Sequence, residues 1–401
     1  MRLCFVGDPD SIHVQRWAGH FAGRGHEVHL VSFYPPRAPL EGVRTHALYS
    51  RPPESWLWRR VAGRGEGTGG GRWRPQWGAY GRVPPSLARL VTWLRYRWQG
   101  IERLVGDIRP DILHGHYITD YALYATAARF HPFVATAWGS DILIAAQGSP
   151  PGRAIARYVL GKADLITADS DQVIARMREL GGAQKEIVKI VLGVDRSFVE
   201  AAEGSVNRRK GSSRHVGPLV ISLRSLDSPL YNVDVILRAM ALVCSASGGL
   251  PQARLWVAGD GRLRPGLERL AARLGLGESV RFLGHLPHKE IASLLAQAAV
   301  YVSVPSSDAT SAALLEAMAV GCFPIASALP ANGEWIEDGA NGFLVPPGSP
   351  SSLAEAIVRA LGDPQLRQAA AACNLELIRV KALWEENMAA MEGWYQRLSS
   401  S

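Results

Sequence analysis

Asp308 and Glu316 stand eight positions apart in SDATSAALLEAMAVG (307–321), with only small, hydroxyl and apolar residues between them. The apolar run AVYVSVPS reads as a strand leading to the first acid. AALLEAMAV reads as a helix that Gly321 ends. Thr310 or Ser311 suits its N-cap. A helix start offers unpaired amides and partial positive charge, which favours phosphate. The small residues Ala309, Ala312 and Ala313 let a diphosphate approach the backbone closely. Glu316, roughly one turn into the helix, is placed to accept hydrogen bonds from ribose hydroxyls. Asp308, ahead of the helix, faces the far side of the diphosphate, where a sugar would lie. One element can thus hold ribose, phosphates and sugar. The plainer reading is a capped helix with an acid at each end.

Such an element needs a sheet to carry it. RLCFVG (2–7), a helix over 11–25 ended by Gly25, and EVHLVSF form a strand-helix-strand unit with short connections. The pattern continues through DILHGHY (111–117), PFVATAW (132–138), ADLITADS (163–170) and IVKIVLGVD (187–195). A second series runs from PLVISLRS through ARLWVAGDG, VRFLGHL, AVYVSVPS, CFPIASAL and GFLVPPG. The fold class expected is α/β, two Rossmann-like parallel-sheet domains facing a central cleft, with ligands at the carboxyl ends of the strands. The domains are set at 1–198 and 218–380, with a polar linker at 199–217. A C-terminal helix over 381–401 is expected to cross back to the first domain. Residues 51–85, rich in Gly, Arg and Pro, interrupt the first domain as a long loop or lid. Residues 86–105 resume as a helix with apolar residues at 87, 90, 91 and 94.

The 401-residue chain is 47% apolar, enough for sizeable cores and too apolar for a disordered chain. Its four cysteines are scattered, without metal-ligand spacing, and are read as reduced thiols. No signal peptide or membrane span is expected, which suggests a cytoplasmic protein. The net charge of +8 is concentrated in residues 51–105, which hold 11 Arg against 3 Glu and six of the twelve Trp. A basic, Trp-rich segment fits an anionic membrane surface, on the inner face for a cytoplasmic protein. It equally fits a solvated loop followed by an ordinary amphipathic helix. Nucleic acid is not expected.

D308-x7-E316 followed by LLEAMAVG resembles the acidic pair and following helix of the retaining GT4 glycosyltransferases, which have the GT-B fold. The resemblance extends over VAGDG (257–261), VRFLGHL (280–286), GCFPIAS (321–327) and DGANGFLVPPG (338–348). In the first domain it covers GHEVHLVS (25–32), DILHGHY, ATAWGSD (135–141) and VLGVDRSF (191–198). Each piece is short. Their order and spacing over most of the chain make the match specific.

The resemblance implies transfer of a sugar, with retention, from a nucleoside-diphosphate sugar to an acceptor. UDP is the default nucleotide, and neither a metal nor a cofactor is expected. Asp308 would hold the donor sugar and Glu316 the ribose. The amides of Thr310, Ser311 and Ala312 would hold phosphate, joined by the Arg224 guanidinium. Leu286 would lie where the base packs, and Ser11 and His13 beside the diphosphate. His116 would stand near the reacting carbon and, with Asp141, contact the acceptor, while His114 is read as a hydrogen-bonded strand-end residue. Two positions depart from the family pattern. Asp308 replaces a Glu, and Tyr231-Asn232 stands where Lys-Gly is common, so Asn232 could donate a hydrogen bond but brings no charge.

DPD (8–10) and DSD (169–171) are too short to indicate a metal site, and GDG (259–261) is too short for a dinucleotide fingerprint. The acceptor is expected to be a glycan, a lipid-linked molecule or a small molecule, in cell-surface polysaccharide or glycoconjugate synthesis. The principal rival is a non-catalytic sugar-nucleotide-binding scaffold or sensor.

Overall fold

The computed structural model describes residues 1–48, 85–200, 217–245, 250 and 252–400. The expected lid, apart from Pro85, and nearly all of the expected linker lie outside the described residues.

The chain divides into two compact units. One comprises Met1–Asp169, Val173–Ile190 and Ala390–Ser401, the other Ser170–Gln172 and Val191–Ala389. The change falls at 190/191, ahead of the boundary drawn at 198, and the reason is packing. Val191, Val194, Phe198 and Val199 belong to the second unit's core, and Val194 bridges to Leu383. The final helix, Trp384–Ser399, begins in the second unit and ends in the first.

The first unit holds seven parallel strands: β1 (Arg2–Val6), β2 (Glu27–Ser32), β3 (Val43–Ala47), β4 (Ile112–His116), β5 (Phe133–Thr136), β6 (Leu165–Ala168) and β7 (Ile187–Lys189). Their order is β3-β2-β1-β4-β5-β6-β7. The strand order reverses between β1 and β4, where Leu3 pairs Ile112 and Val6 pairs Gly115. The central strands are buried along almost their whole length, as parallel strands covered on both faces must be. β3 has no apolar run (Val43, Arg44, Thr45, His46, Ala47), and its partly exposed edge position explains how such a sequence becomes a strand.

The second unit holds six parallel strands: β8 (Leu219–Leu223), β9 (Arg254–Ala258), β10 (Val280–Gly284), β11 (Val300–Ser303), β12 (Phe323–Ser327) and β13 (Phe343–Val345). Their order is β10-β9-β8-β11-β12-β13, reversing between β8 and β11. Alternate residues go to opposite cores. Val220, Val300 and Val302 pack on one face. Leu219, Ile221 and Tyr301 pack on the other, with Leu314, Leu315 and Met318 of the helix Ala312–Ala319.

The helix expected over 86–105 is two helices, Pro85–Trp98 and Ile101–Ile108, broken where Gly100 adopts a left-handed φ of 81°. The residues expected to form its apolar face are not the ones it buries. Leu87, Leu90, Val91 and Leu94 face outward, while Ala88, Arg89 and Tyr96 are buried. The buried side wins through specific partners. Arg89 donates to Asp120 at 3.0 Å, Trp93 to Thr126 at 3.0 Å, and Tyr96 stacks on Tyr124 with centroids 5.0 Å apart.

Among the described residues, no helix is long and apolar enough to cross a membrane.

Candidate active site

In the second unit, the reversal point brings the exits of β8 and β11 together, where an open parallel sheet binds its ligands. Arg224 follows β8. Its Nε donates to Ser303 Oγ at 2.7 Å, and its Nη2 donates to Asp308 Oδ2 at 2.6 Å and Ser311 Oγ at 3.0 Å. The guanidinium also lies over the Tyr231 ring, 5.3 Å from its centroid. Burial disfavours the charge, but Asp308, Tyr301 and Tyr231 together hold it protonated above its ordinary range.

Two glycines set this geometry. Gly259 and Gly261 have φ values of 141° and 156°. A Cβ on Gly259 would stand 1.9 Å from Arg224 O, and one on Gly261 would stand 2.4 Å from Asp227 N. The β9 exit can therefore lie flush against the 224–227 backbone. Arg224 N donates to Ala258 O at 3.1 Å and Leu226 N to Asp260 O at 2.9 Å.

Ser311 is the N-cap of the helix Ala312–Ala319, its Oγ accepting from Leu314 N at 3.4 Å. Ala312 is the first helical residue, and Thr310 Oγ1 accepts from Trp335 Nε1 at 3.4 Å. Asp308 Oδ1 accepts from Ala309 N at 3.1 Å, so the carboxylate turns back toward its own loop and Arg224.

Glu316 is buried, and its Oε1 lies 2.8 Å from His288 Nε2. The other nitrogen of that ring lies 3.8 Å from Asp195 Oδ2. His288 opens the helix His288–Leu295 and rests against Phe198, with centroids 5.3 Å apart. Leu286, two residues earlier, is half-buried on the same core. Asn232 caps the helix Val233–Cys244 in a left-handed conformation, φ 50°. Its amide donates to Val304 O at 2.9 Å and Ser306 Oγ at 2.8 Å, which ties the β11 exit in place.

The first unit places His116 at the end of β4, with His13 and Ser11 at the start of the helix Ile12–Gly23 after β1. His116 is buried among Phe5, Trp17, His114 and Trp138, and among the described residues neither ring nitrogen has a hydrogen-bond partner. Burial, assisted by nearby His13, pushes its pKa down to about 3, so the ring is neutral at physiological pH. His13 stacks on Trp138 at 4.9 Å, and burial with Arg16 lowers its pKa to about 4. The Ser11 hydroxyl makes no capping bond.

His114 is occupied on both sides. Trp17 Nε1 donates to Tyr395 Oη at 3.0 Å, Tyr395 faces His114 Nδ1, and His114 Nε2 lies 2.6 Å from Thr136 Oγ1. The indole can only donate, so the tyrosine oxygen accepts from Trp17 while it also meets His114 Nδ1.

Asp141 lies inside the fold. Its carboxylate accepts from the amides of Ile118 at 2.7 Å, Trp138 at 3.1 Å and Ile142 at 3.1 Å. Burial raises its pKa to about 7, partly offset by those bonds. This carboxylate positions the loops after β4 and β5 and is fully buried, not displayed to a ligand.

The structure thus brings Arg224, Asp308, Ser311 and Thr310 to one strand-exit cluster, and Glu316 to a neighbouring His288–Asp195 pair. Sequence reading missed His288, which lies in a loop-to-helix turn without a motif. It counted VAGDG in the family resemblance but gave its glycines no role, and they shape the Arg224 turn.

Two family models match the chain: Glycosyl transferases group 1 over residues 205–373 and Glycosyl transferase 4-like over residues 85–170. The D-inositol 3-phosphate glycosyltransferase of Thermomonospora curvata is 29% identical over 303 residues, 67% of this chain and 69% of that protein. Among solved structures, sucrose-phosphate synthase from Thermosynechococcus elongatus aligns with a TM-score of 0.79 at 19% identity, over 100% of this chain and 99% of the other. HepE of Anabaena, solved in complex with UDP and glucose, aligns with a TM-score of 0.69 at 17% identity, over 99% and 100%. The chain is thus similar in sequence to the group 1 and GT4-like glycosyltransferases, and it has the GT-B type of fold, two Rossmann-like parallel-sheet domains.

Proposed function

We propose that the protein transfers a sugar from a nucleoside-diphosphate sugar, UDP by default, to a glycan or lipid-linked acceptor with retention of anomeric configuration. The setting is cell-surface polysaccharide or glycoconjugate synthesis. One observation carries the donor assignment: Arg224, Ser311 and Asp308 converge at the β8/β11 reversal point, beside a helix N-terminus. Arg224 and the amides of 310–312 bind the diphosphate, and Glu316 takes the ribose. Asp308, released from Arg224 as phosphate arrives, accepts from the donor sugar. UDP complexes of the structural relative HepE support this choice of nucleotide.

In the reaction, the bond from the anomeric carbon to the diphosphate oxygen breaks and a bond to the acceptor oxygen forms on the same face. The acceptor proton passes to the departing diphosphate. Protein groups position the partners and stabilise the leaving charge, without a required metal. In the first unit, neutral His116, with its unpartnered nitrogens, suits a hydrogen bond to an acceptor or sugar hydroxyl. Ser11 and His13 extend that polar margin.

Calorimetry with UDP-, GDP-, ADP- and TDP-sugars in EDTA tests the reading. One nucleotide class should bind wild type and lose affinity in Glu316→Ala. Failure of every donor to bind the folded protein overturns it. The Asn232 amide, fully engaged at the position where a second cation is expected, favours one alternative: a non-catalytic nucleotide-sugar-binding scaffold. Turnover by wild type that is lost in Glu316→Ala removes that alternative.

A further inference from the structure

The helix Pro85–Trp98 leaves Leu87, Leu90, Val91 and Leu94 exposed at 49%, 49%, 39% and 50%. Their i, i+3, i+4, i+7 spacing makes one continuous stripe. Beside the stripe, Trp93 and Arg97 line a cavity of about 380 Å³, together with Arg129, His131, Tyr158 and Lys162. Arg97, Arg129 and Lys162 bring three permanent charges, and none is ion-paired with a carboxylate among the described residues. Arg97 lies over the Trp93 ring at 5.9 Å and Lys162 over the Tyr158 ring at 6.0 Å. The acid nearby, Asp164, is already engaged by His131 Nδ1 at 2.6 Å and by Phe133 N at 2.7 Å. Residues 129–132 precede β5, and Tyr158 and Lys162 lie in the last turns of the helix Pro150–Lys162 ahead of β6. The cavity therefore lies at the amino ends of these strands, opposite the end that carries His116.

We propose that this cavity binds the phosphate of an anionic lipid headgroup, with the Leu87–Leu94 stripe entering the acyl boundary beside it. Three cations without a carboxylate partner among the described residues call for an anion. Trp93 and Tyr158 are the aromatic side chains that favour a membrane interface. A soluble phosphate would account for the cavity but not for four exposed branched aliphatic side chains next to it. In sequence, residues 51–84 ahead of the helix add seven Arg and four Trp against two Glu. Charge plus an apolar face supplies the two signals that stable membrane attachment needs. The proposal is independent of the donor assignment.

The test is sedimentation of the full chain with phosphatidylcholine vesicles, with and without phosphatidylglycerol. Two variants are compared with wild type: Arg129→Gln/Lys162→Gln and Leu90→Gln/Leu94→Gln. All four positions are exposed, and thermal denaturation and far-ultraviolet circular dichroism check each fold. Lys162→Gln alone serves if the double cavity variant is unstable. Wild type is expected to partition onto the anionic vesicles only. Loss of two cations should weaken partitioning about thirtyfold, and the aliphatic variant should also detach. Equal partitioning of wild type and both variants overturns the proposal. So does binding of glycerol phosphate at the cavity, lost in the cation variant, without vesicle binding, which would assign the cavity to a soluble phosphate.

Discussion

Arg224 offers the sharpest separation of a binding role from a structural one. The perturbation is a cycle of Arg224→Ala, Asp308→Ala and the double variant. Arg224 makes two charge-assisted bonds from Nη2, at 2.6 and 3.0 Å, and one from Nε at 2.7 Å. Its side chain is 12% exposed and that of Asp308 21%. Breaking a fully buried ion pair costs about 3–5 kcal/mol, and partial exposure lowers this to about 2 kcal/mol for either single variant. The double variant leaves neither charge alone and should recover part of that loss, giving a coupling of about 1 kcal/mol by urea denaturation. UDP binding should behave differently. Removing a guanidinium contact to diphosphate costs about 1.5–3 kcal/mol, roughly ten- to hundredfold in Kd. That loss should persist in the double variant, because diphosphate and Asp308 compete for the same nitrogen. UDP binding to the double variant at wild-type affinity, alongside recovered stability, refutes the reasoning and leaves Arg224 as a strand-end ion pair.

Glu316→Gln should weaken UDP binding about tenfold in calorimetry, through loss of a charged acceptor for ribose. Gly259→Ala should lower the urea midpoint by an amount worth at least about 2 kcal/mol and weaken UDP binding with it, since the new Cβ meets the Arg224 carbonyl. Asp141→Ala strips three backbone amides of their acceptor and should cost about 2–3 kcal/mol of thermal stability. His116, with its pKa lowered to about 3, binds a proton more readily unfolded than folded. Its contribution to stability is therefore full above the unfolded value near 6.5 and declines as pH falls toward 3. At pH 5 the decline is about 2 kcal/mol, so His116→Phe should flatten the fall in urea stability between pH 7 and pH 5.

Strand and helix alternation made both sheets legible in the sequence, because central parallel strands such as Leu219–Leu223 are buried on both faces and read as continuous apolar runs. The edge strand Val43–Ala47 carries no such run and was not legible. The acidic pair was visible as a pattern, but its partners were not. Nothing in HLPHKE marks His288 as the residue that reaches Glu316, since that contact joins positions 28 apart through tertiary packing. The helix Pro85–Trp98 was legible as a helix with an aliphatic stripe. The stripe is exposed, while Arg89 and Tyr96, with specific partners, are buried. Periodicity reports an apolar stripe and leaves open what covers it.

The final helix carries a consequence for biosynthesis. Tyr395 completes the relay from Trp17 to His114, and Glu392 holds His26 at 2.8 Å and Arg24 at 3.1 Å. Trp17, Arg24, His26 and His114 all precede the second unit in the chain, while Glu392 and Tyr395 follow it. The second unit's sheet, by contrast, draws on one unbroken stretch, with every strand complete by Val345. Domains made on the ribosome commonly fold in order from the N-terminus. Here the first unit to be begun is finished only after the second has been made: its core beneath β1 and β4 stays open until the helix Trp384–Ser399 is added.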